Sequence, residues 1–328
     1  MHLKIIYGLA SLSALCIVSF VSYIIYNRWN RLRNAQLTLT SVEVNEAHWR
    51  DKHKLPLHGP WNRRRNTHLE KILKTRDSRV VVNEINAKKK DLQDMLTELD
   101  LMKTLKPHPH VVELIGYCIE KDPLLIVLEY LPYGDLLGYL LKSRGIEDIK
   151  NTREKKPSSS LTKEDLLRFV WMIADGMSYL SRMKIVHRDL SARNVLVGDN
   201  KVCKISDFGL ARGLREDVYT RKTEARLPAR WMPPESLLYG ESSTKSDIWS
   251  YGIVMWEVFT IGESPYPGVK SGEIADLLQT GYRMPKPPHI SQELYSIMAN
   301  CWEEKPEERP TFQWLCCVIR RLLDDHKL

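Results

Sequence analysis

Val186-His187-Arg188-Asp189-Leu190-Ser191-Ala192-Arg193-Asn194, continued by the apolar Val195-Leu196-Val197 and then by Ser206-Asp207-Phe208-Gly209, is the stretch on which the reading of this chain turns. Asn194 follows Asp189 by five residues, and Asp207 follows it by 18. A lone His-Arg-Asp carries little information, but three oxygen-bearing side chains at these separations carry a great deal. A carboxylate such as Asp189 can orient a hydroxyl, while Asn194 and Asp207 supply the hard oxygen ligands that suit Mg²⁺.

Working outward, the 328 residues and 43% apolar content allow one large two-part domain with a sizeable core. The formal charge of +8 is concentrated before residue 110 and lacks aromatic interleaving, which argues against a nucleic-acid partner. Six cysteines without Cys-x-x-Cys spacing, mostly inside apolar runs, read as reduced core residues. Ile5 to Tyr26 is free of charge and long enough to cross a bilayer as a helix. Arg28, Arg31 and Arg33 follow it, so the positive-inside rule puts the rest of the chain in the cytoplasm. The expectation is a single-pass membrane protein with a tail at 1–4, a transmembrane helix at 5–26 and a juxtamembrane linker at 27–66. The basic residues from Arg63 to Arg79 either touch anionic lipid or simply face water.

Beyond the linker, Val80-Val81-Val82 suits a strand. Leu92, Met95, Leu96, Leu99, Met102 and Leu105 repeat at helical spacing, and Pro107 and Pro109 end that helix. Val111 to Cys118 and Leu124 to Tyr130 are strand-like runs divided by Glu120-Lys121-Asp122-Pro123. After Gly134 the pattern turns helical: Asp135 to Lys142, Thr162 to Met183 with Thr162 as N-cap, Ile248 to Thr260, Glu273 to Thr280, Glu293 to Glu303 and Thr311 to Asp325. Ser143 to Ser160 is charged and lacks apolar anchors, as an insert would. The class is α+β, with a small strand-rich lobe and a large helical one.

These motifs, from about Val80 to Leu323, resemble protein kinases, and specifically receptor-type tyrosine kinases of the fibroblast-growth-factor-receptor kind. The resemblance implies a bilobal domain at 67–328, with an N-lobe at 67–131, a C-lobe at 132–328 and a kinase insert at 143–160. It also implies ATP and Mg²⁺ as cofactors, and protein tyrosine as the substrate. Ser191 and Arg193, together with Leu227-Pro228-Ala229-Arg230-Trp231-Met232-Pro233-Pro234-Glu235, match the tyrosine-specific form. By that resemblance Asp189, Arg193 and Asn194 are catalytic, and Asn194 and Asp207 hold the metal. Leu128 is the gatekeeper, and Glu98, Glu129, Leu131 and Leu196 serve the nucleotide. Glu235 pairs with Arg309, and Asp247 holds the loop from below. Tyr219 is the autophosphorylation switch, with Arg188 as its phosphate partner. The expected localisation is the plasma membrane, and the expected partners are tyrosine-bearing proteins and a homo- or heterodimer with a related kinase.

The pattern breaks in the small lobe. Asn83 stands where the family's strand lysine belongs, and an amide cannot supply that charge. No glycine occurs between Gly59 and Gly116. The stretch is short by about 20 residues, the length of the glycine-rich loop and its returning strand. Two functions follow from the sequence: a membrane-anchored tyrosine kinase, or a pseudokinase scaffold acting through protein contacts.

Overall fold

The structure, a computed structural model, describes residues 43–44, 80–85, 89–118, 124–145, 161–213, 219–220 and 228–325, all within one compact unit, Val42–Leu328. The span at 5–26, most of the linker and most of the insert lie outside the described residues. Among the described residues, no helix is long and apolar enough to cross a membrane.

The smaller part is an antiparallel sheet in the order β1-β3-β4-β2, made of β1 (Glu43–Val44), β2 (Val80–Ile85), β3 (Leu114–Cys118) and β4 (Leu124–Glu129). β1 lies in a stretch whose pattern predicts neither helix nor strand. Its two residues pair with Tyr117 and Gly116, and main-chain hydrogen bonding of that kind needs no apolar period. Helix α1 (Lys89–Thr104) runs between β2 and β3. Its Leu99 buries with Ile126 of β4, while Leu101 and Met102 reach the main core. Asn83 of β2 lies opposite Ile126 in the register.

The larger part is helical. Asp135, expected inside a helix, instead caps α2 (Leu136–Ser143), its carboxylate accepting from Gly138 N at 2.8 Å. Helix α3 (Lys163–Arg182) opens on a capping box between Thr162 and Asp165. Short strands β5 (Ile185–Val186), β6 (Val195–Val197), β7 (Cys203–Ile205) and β8 (Arg212–Gly213) follow; β6 pairs with β7, and β5 with β8. Next come β9 (Tyr219–Thr220), α4 (Pro234–Tyr239) and β10 (Glu241–Ser242), with β9 and β10 paired. Helix α5 (Thr244–Phe259) is buried without a break from Ser246 to Phe259. It is therefore a central helix rather than an amphipathic surface one. Helices α6 (Ile274–Gln279), α7 (Gln292–Asn300) and α8 (Phe312–Asp325) complete the lobe, and α8 packs along α3.

One ion pair locks this lobe. Arg309 is fully buried, and its Nη1 and Nη2 donate to the Glu235 carboxylate at 2.7 and 2.9 Å. Its remaining N–H groups go to the carbonyls of Glu303, Lys245 and Glu304. With every donor of the planar fork engaged, removal of the side chain leaves Glu235 and three carbonyls without their donors. Arg309→Ala is expected to lower stability by about 3–5 kcal/mol, read as a shift of the urea unfolding midpoint. Arg309→Lys, which lacks the fork, should recover only a minor part of the loss.

Candidate active site

The loop from His187 to Asn194 is held from below by two carboxylates of α5. Asp247, wholly buried, accepts from the main-chain N–H of His187 at 2.8 Å and of Arg188 at 2.9 Å. Burial pushes its pKa up, and the two N–H bonds and the nearby His187 and Arg188 pull it back down. To meet that carboxylate the chain turns through Arg188 with φ at +69°. Ten residues along the same helix, Glu257 accepts from Ala192 N at 3.0 Å and from Trp231 Nε1 at 2.9 Å. Trp231 in turn lies under the Arg193 guanidinium, 4.2 Å from the ring centroid.

Inside the loop the bonds are mutually consistent. His187 Nδ1 accepts from Asp189 N at 3.3 Å, so Nε2 carries the proton and donates to Ser206 O at 3.0 Å. Ser206 donates from both N and Oγ to Asn194 O, each at 2.9 Å. Asn194 Nδ2 donates to Asp189 O at 2.7 Å, which directs the amide oxygen elsewhere. Arg193 Nη2 forms an ion pair with Asp189 Oδ1. The structure thus brings Asp189, Arg193 and Asn194 together on one rigid turn.

Opposite that turn, Asp207 is exposed, with φ at +61°, while its neighbour Phe208 is buried against the His187 ring at 5.5 Å. Glu98 of α1 accepts a bond from the Phe208 N–H, so α1 reaches the Asp207 segment directly. Burial raises the Glu98 pKa first, and the charge on Asp207 raises it further. Burial likewise raises Asp189; Arg193 opposes that shift, and Asp207 adds to it. Three carboxylates therefore feel one another across this space, a field that favours a cation. The Asp207 carboxylate and the Asn194 amide oxygen form a hard donor set that fits a divalent metal.

Other expected site residues are placed less simply. Among the described residues, no cation pairs with Glu98. The Glu129 carboxylate is taken by Lys204 Nζ at 2.6 and 2.8 Å and by Glu113 N at 2.8 Å. Any contact it makes to a nucleotide falls to its main chain. Leu131 is buried beside Gly198, and Leu196 sits in β6 opposite Lys204. Arg188 Nη1 donates to Leu210 O at 3.3 Å, and the Tyr219 main chain lies opposite Ser242. Glu257 and Lys204 escaped the sequence reading, which had Trp231 only as part of the Leu227 to Glu235 segment. Glu257 had a usable signal, as the single charge in the apolar run Ile253 to Phe259.

Glu257 also gives a pH signature. Burial pushes its pKa up to about 7, against bonds from Trp231 and Ala192 that lower it. The folded state then holds a proton between the usual carboxylate pKa and about 7 that the unfolded state has lost. Stability from this group is present at low pH and falls as pH rises through that window. Glu257→Gln, which keeps the acceptor oxygen, should match the wild type near pH 4.5. Its advantage should then grow by up to ~1.4 kcal/mol per pH unit toward pH 7, measured by urea unfolding at each pH.

Sequence comparison agrees with this geometry. Residues 61–319 match the family of protein tyrosine and serine/threonine kinases. The tyrosine kinase receptor Cad96Ca of Drosophila melanogaster is 46% identical over 234 residues, covering 71% of this chain and 30% of the relative. The angiopoietin-1 receptor of Danio rerio is 43% identical over 242 residues, covering 74% of this chain and 22% of the relative. The chain spans less than a third of the length of these relatives. Family match and loop geometry agree: the chain belongs to the family of protein tyrosine and serine/threonine kinases.

Proposed function

We propose that the chain is a membrane-anchored, receptor-type tyrosine kinase of the fibroblast-growth-factor-receptor kind, which moves the γ-phosphate of ATP onto protein tyrosine and signals by autophosphorylation. The observation that carries this reading is the rigid turn holding Asp189, Arg193 and Asn194, stapled to α5 by Asp247 and Glu257. Asp189 orients the phenolic hydroxyl and accepts its proton as the oxygen–phosphorus bond forms and the bond from the γ-phosphorus to the bridging oxygen of ADP breaks. A carboxylate with a raised pKa is a stronger proton acceptor than an ordinary one. Arg193, stacked on Trp231, holds the Asp189 carboxylate in place beside the ring of the substrate tyrosine. Asn194 and Asp207 would hold Mg²⁺, which when bound would supply positive charge against the phosphates. The main chain from Glu129 to Leu131, with Leu196, serves the adenine. Tyr219 is the switch, its phosphate pairing with Arg188.

A second reading, a pseudokinase scaffold with a truncated small lobe that pairs with an active relative, is favoured by one specific observation. By the resemblance, Asn83 stands where the family's strand lysine belongs, and among the described residues no cation pairs with Glu98.

The two readings separate in one assay of the full chain with ATP and Mg²⁺. Phosphotyrosine made by the wild type and lost in Asp189→Asn supports the kinase; phosphotyrosine from neither supports the scaffold. Asn83→Lys should raise turnover by roughly 10- to 100-fold, equivalent to about 1.4–2.7 kcal/mol of phosphate positioning. Tyr219→Phe should abolish the acceleration of the time course that autophosphorylation produces, and a time course identical to the wild type would remove Tyr219 as the switch.

A further inference from the structure

We propose that His108, His110 and Asp175 form a Zn²⁺ site that clips the loop between α1 and β3 onto helix α3. The two imidazoles flank Pro109 in that loop, and Asp175 presents its carboxylate between them from α3. Asp175 Oδ2 lies 2.7 Å from His110 Nδ1 and 3.5 Å from His108 Nε2, and the three ligand atoms all fall within 4.8 Å of one another. Ligands on a tetrahedral zinc stand roughly 3.4 Å apart, so side-chain shifts of about 1 Å make the set.

The rings are already aimed. Trp171, Asp175 and Tyr179 recur every fourth residue along one face of α3. Trp171 meets the His110 ring edge-on at 5.4 Å, and Tyr179 stacks on His108 at 4.7 Å. The Tyr179 hydroxyl is itself fixed, accepting from Lys106 N at 2.7 Å and donating to Lys106 O at 2.9 Å. A Cβ on Gly176 would sit 2.5 Å from His110 O, so only glycine beside Asp175 lets the loop come this close. Lys204 on β7, a cation that would oppose an ion here, is engaged by Glu129.

Two imidazoles and one carboxylate suit zinc rather than Mg²⁺ or Ca²⁺, and three protein ligands leave a fourth position for water. Metal on His108 Nε2 moves that ring's proton to Nδ1 and gives up the 3.3 Å bond Nδ1 accepts from His110 N. The site is therefore weaker than a closed structural zinc site, with dissociation in the micromolar range. A bound ion would pin the end of α1, the helix that carries Glu98, to α3. This site does not depend on the phosphotransfer reading.

The test titrates Zn²⁺ alone into the full chain against a chromogenic chelator, and repeats it with Co²⁺ to record the visible absorption of a tetrahedral site. One ion per chain is expected. His108→Gln and Asp175→Asn should each weaken binding at least tenfold and abolish the Co²⁺ band, while Cys316→Ser and Cys317→Ser leave both unchanged. Thermal melting without metal shows which variants are folded, and the two ligand variants back each other if one is not. No binding by the wild type, or unchanged binding by a folded His108→Gln or Asp175→Asn, overturns the proposal.

Discussion

A single buried carboxylate, Asp247, sets the geometry on which the candidate site depends. An isolated ionised carboxylate in a protein interior is costly, and this one is tolerated because its oxygens accept the main-chain N–H groups of His187 and Arg188. Those bonds accompany a left-handed conformation at Arg188, the turn that leads into the half-buried Asp189. From there the order spreads through His187 to Ser206, and through Asn194 to Asp189. The polar groups of the loop thus form a connected network, which specifies one arrangement more sharply than separate contacts would.

Helix α5 is the beam beneath this network. Its apolar surface is buried on every side, so its position is set by packing alone, and it carries Asp247 near one end and Glu257 near the other. One helix thereby fixes both the start of the loop and Trp231, which supports Arg193. The Arg309 and Glu235 pair does the same for the segment that follows Trp231, and Arg309 also lies over Trp249 of α5. On the far side of the space, burial and the charge on Asp207 raise the proton affinity of Glu98 and of Asp189. The hard oxygens of Asn194 and Asp207 next to them fit a divalent cation.

Much of the fold was legible in residue spacing. The Thr162 cap and the apolar repeat from Leu92 to Leu105 correspond to helices α3 and α1, because capping and amphipathic periodicity act within a few residues. Where contacts from distant segments intervene, the expectation shifts. Val111 reads as the start of a strand, yet it forms an isolated bridge to Ile205 from the other part of the unit, and β3 begins only at Leu114. Strand β1 was illegible because two residues paired through their main chains leave no side-chain pattern.

By itself, the sequence determined the chemistry and the family: His187 to Asn194, Ser206 to Gly209 and the Trp231 segment are local motifs whose spacing survives without coordinates. Tertiary structure alone decided how those groups are committed. It turned the Glu129 carboxylate to Lys204, placed Glu98 against Phe208, put Glu257 under Ala192, and pressed His108 and His110 onto Asp175. Each of these pairs joins residues 65 to 110 positions apart. Their meeting is set by how buried helices pack, and packing is a property of the whole core rather than of any window of sequence.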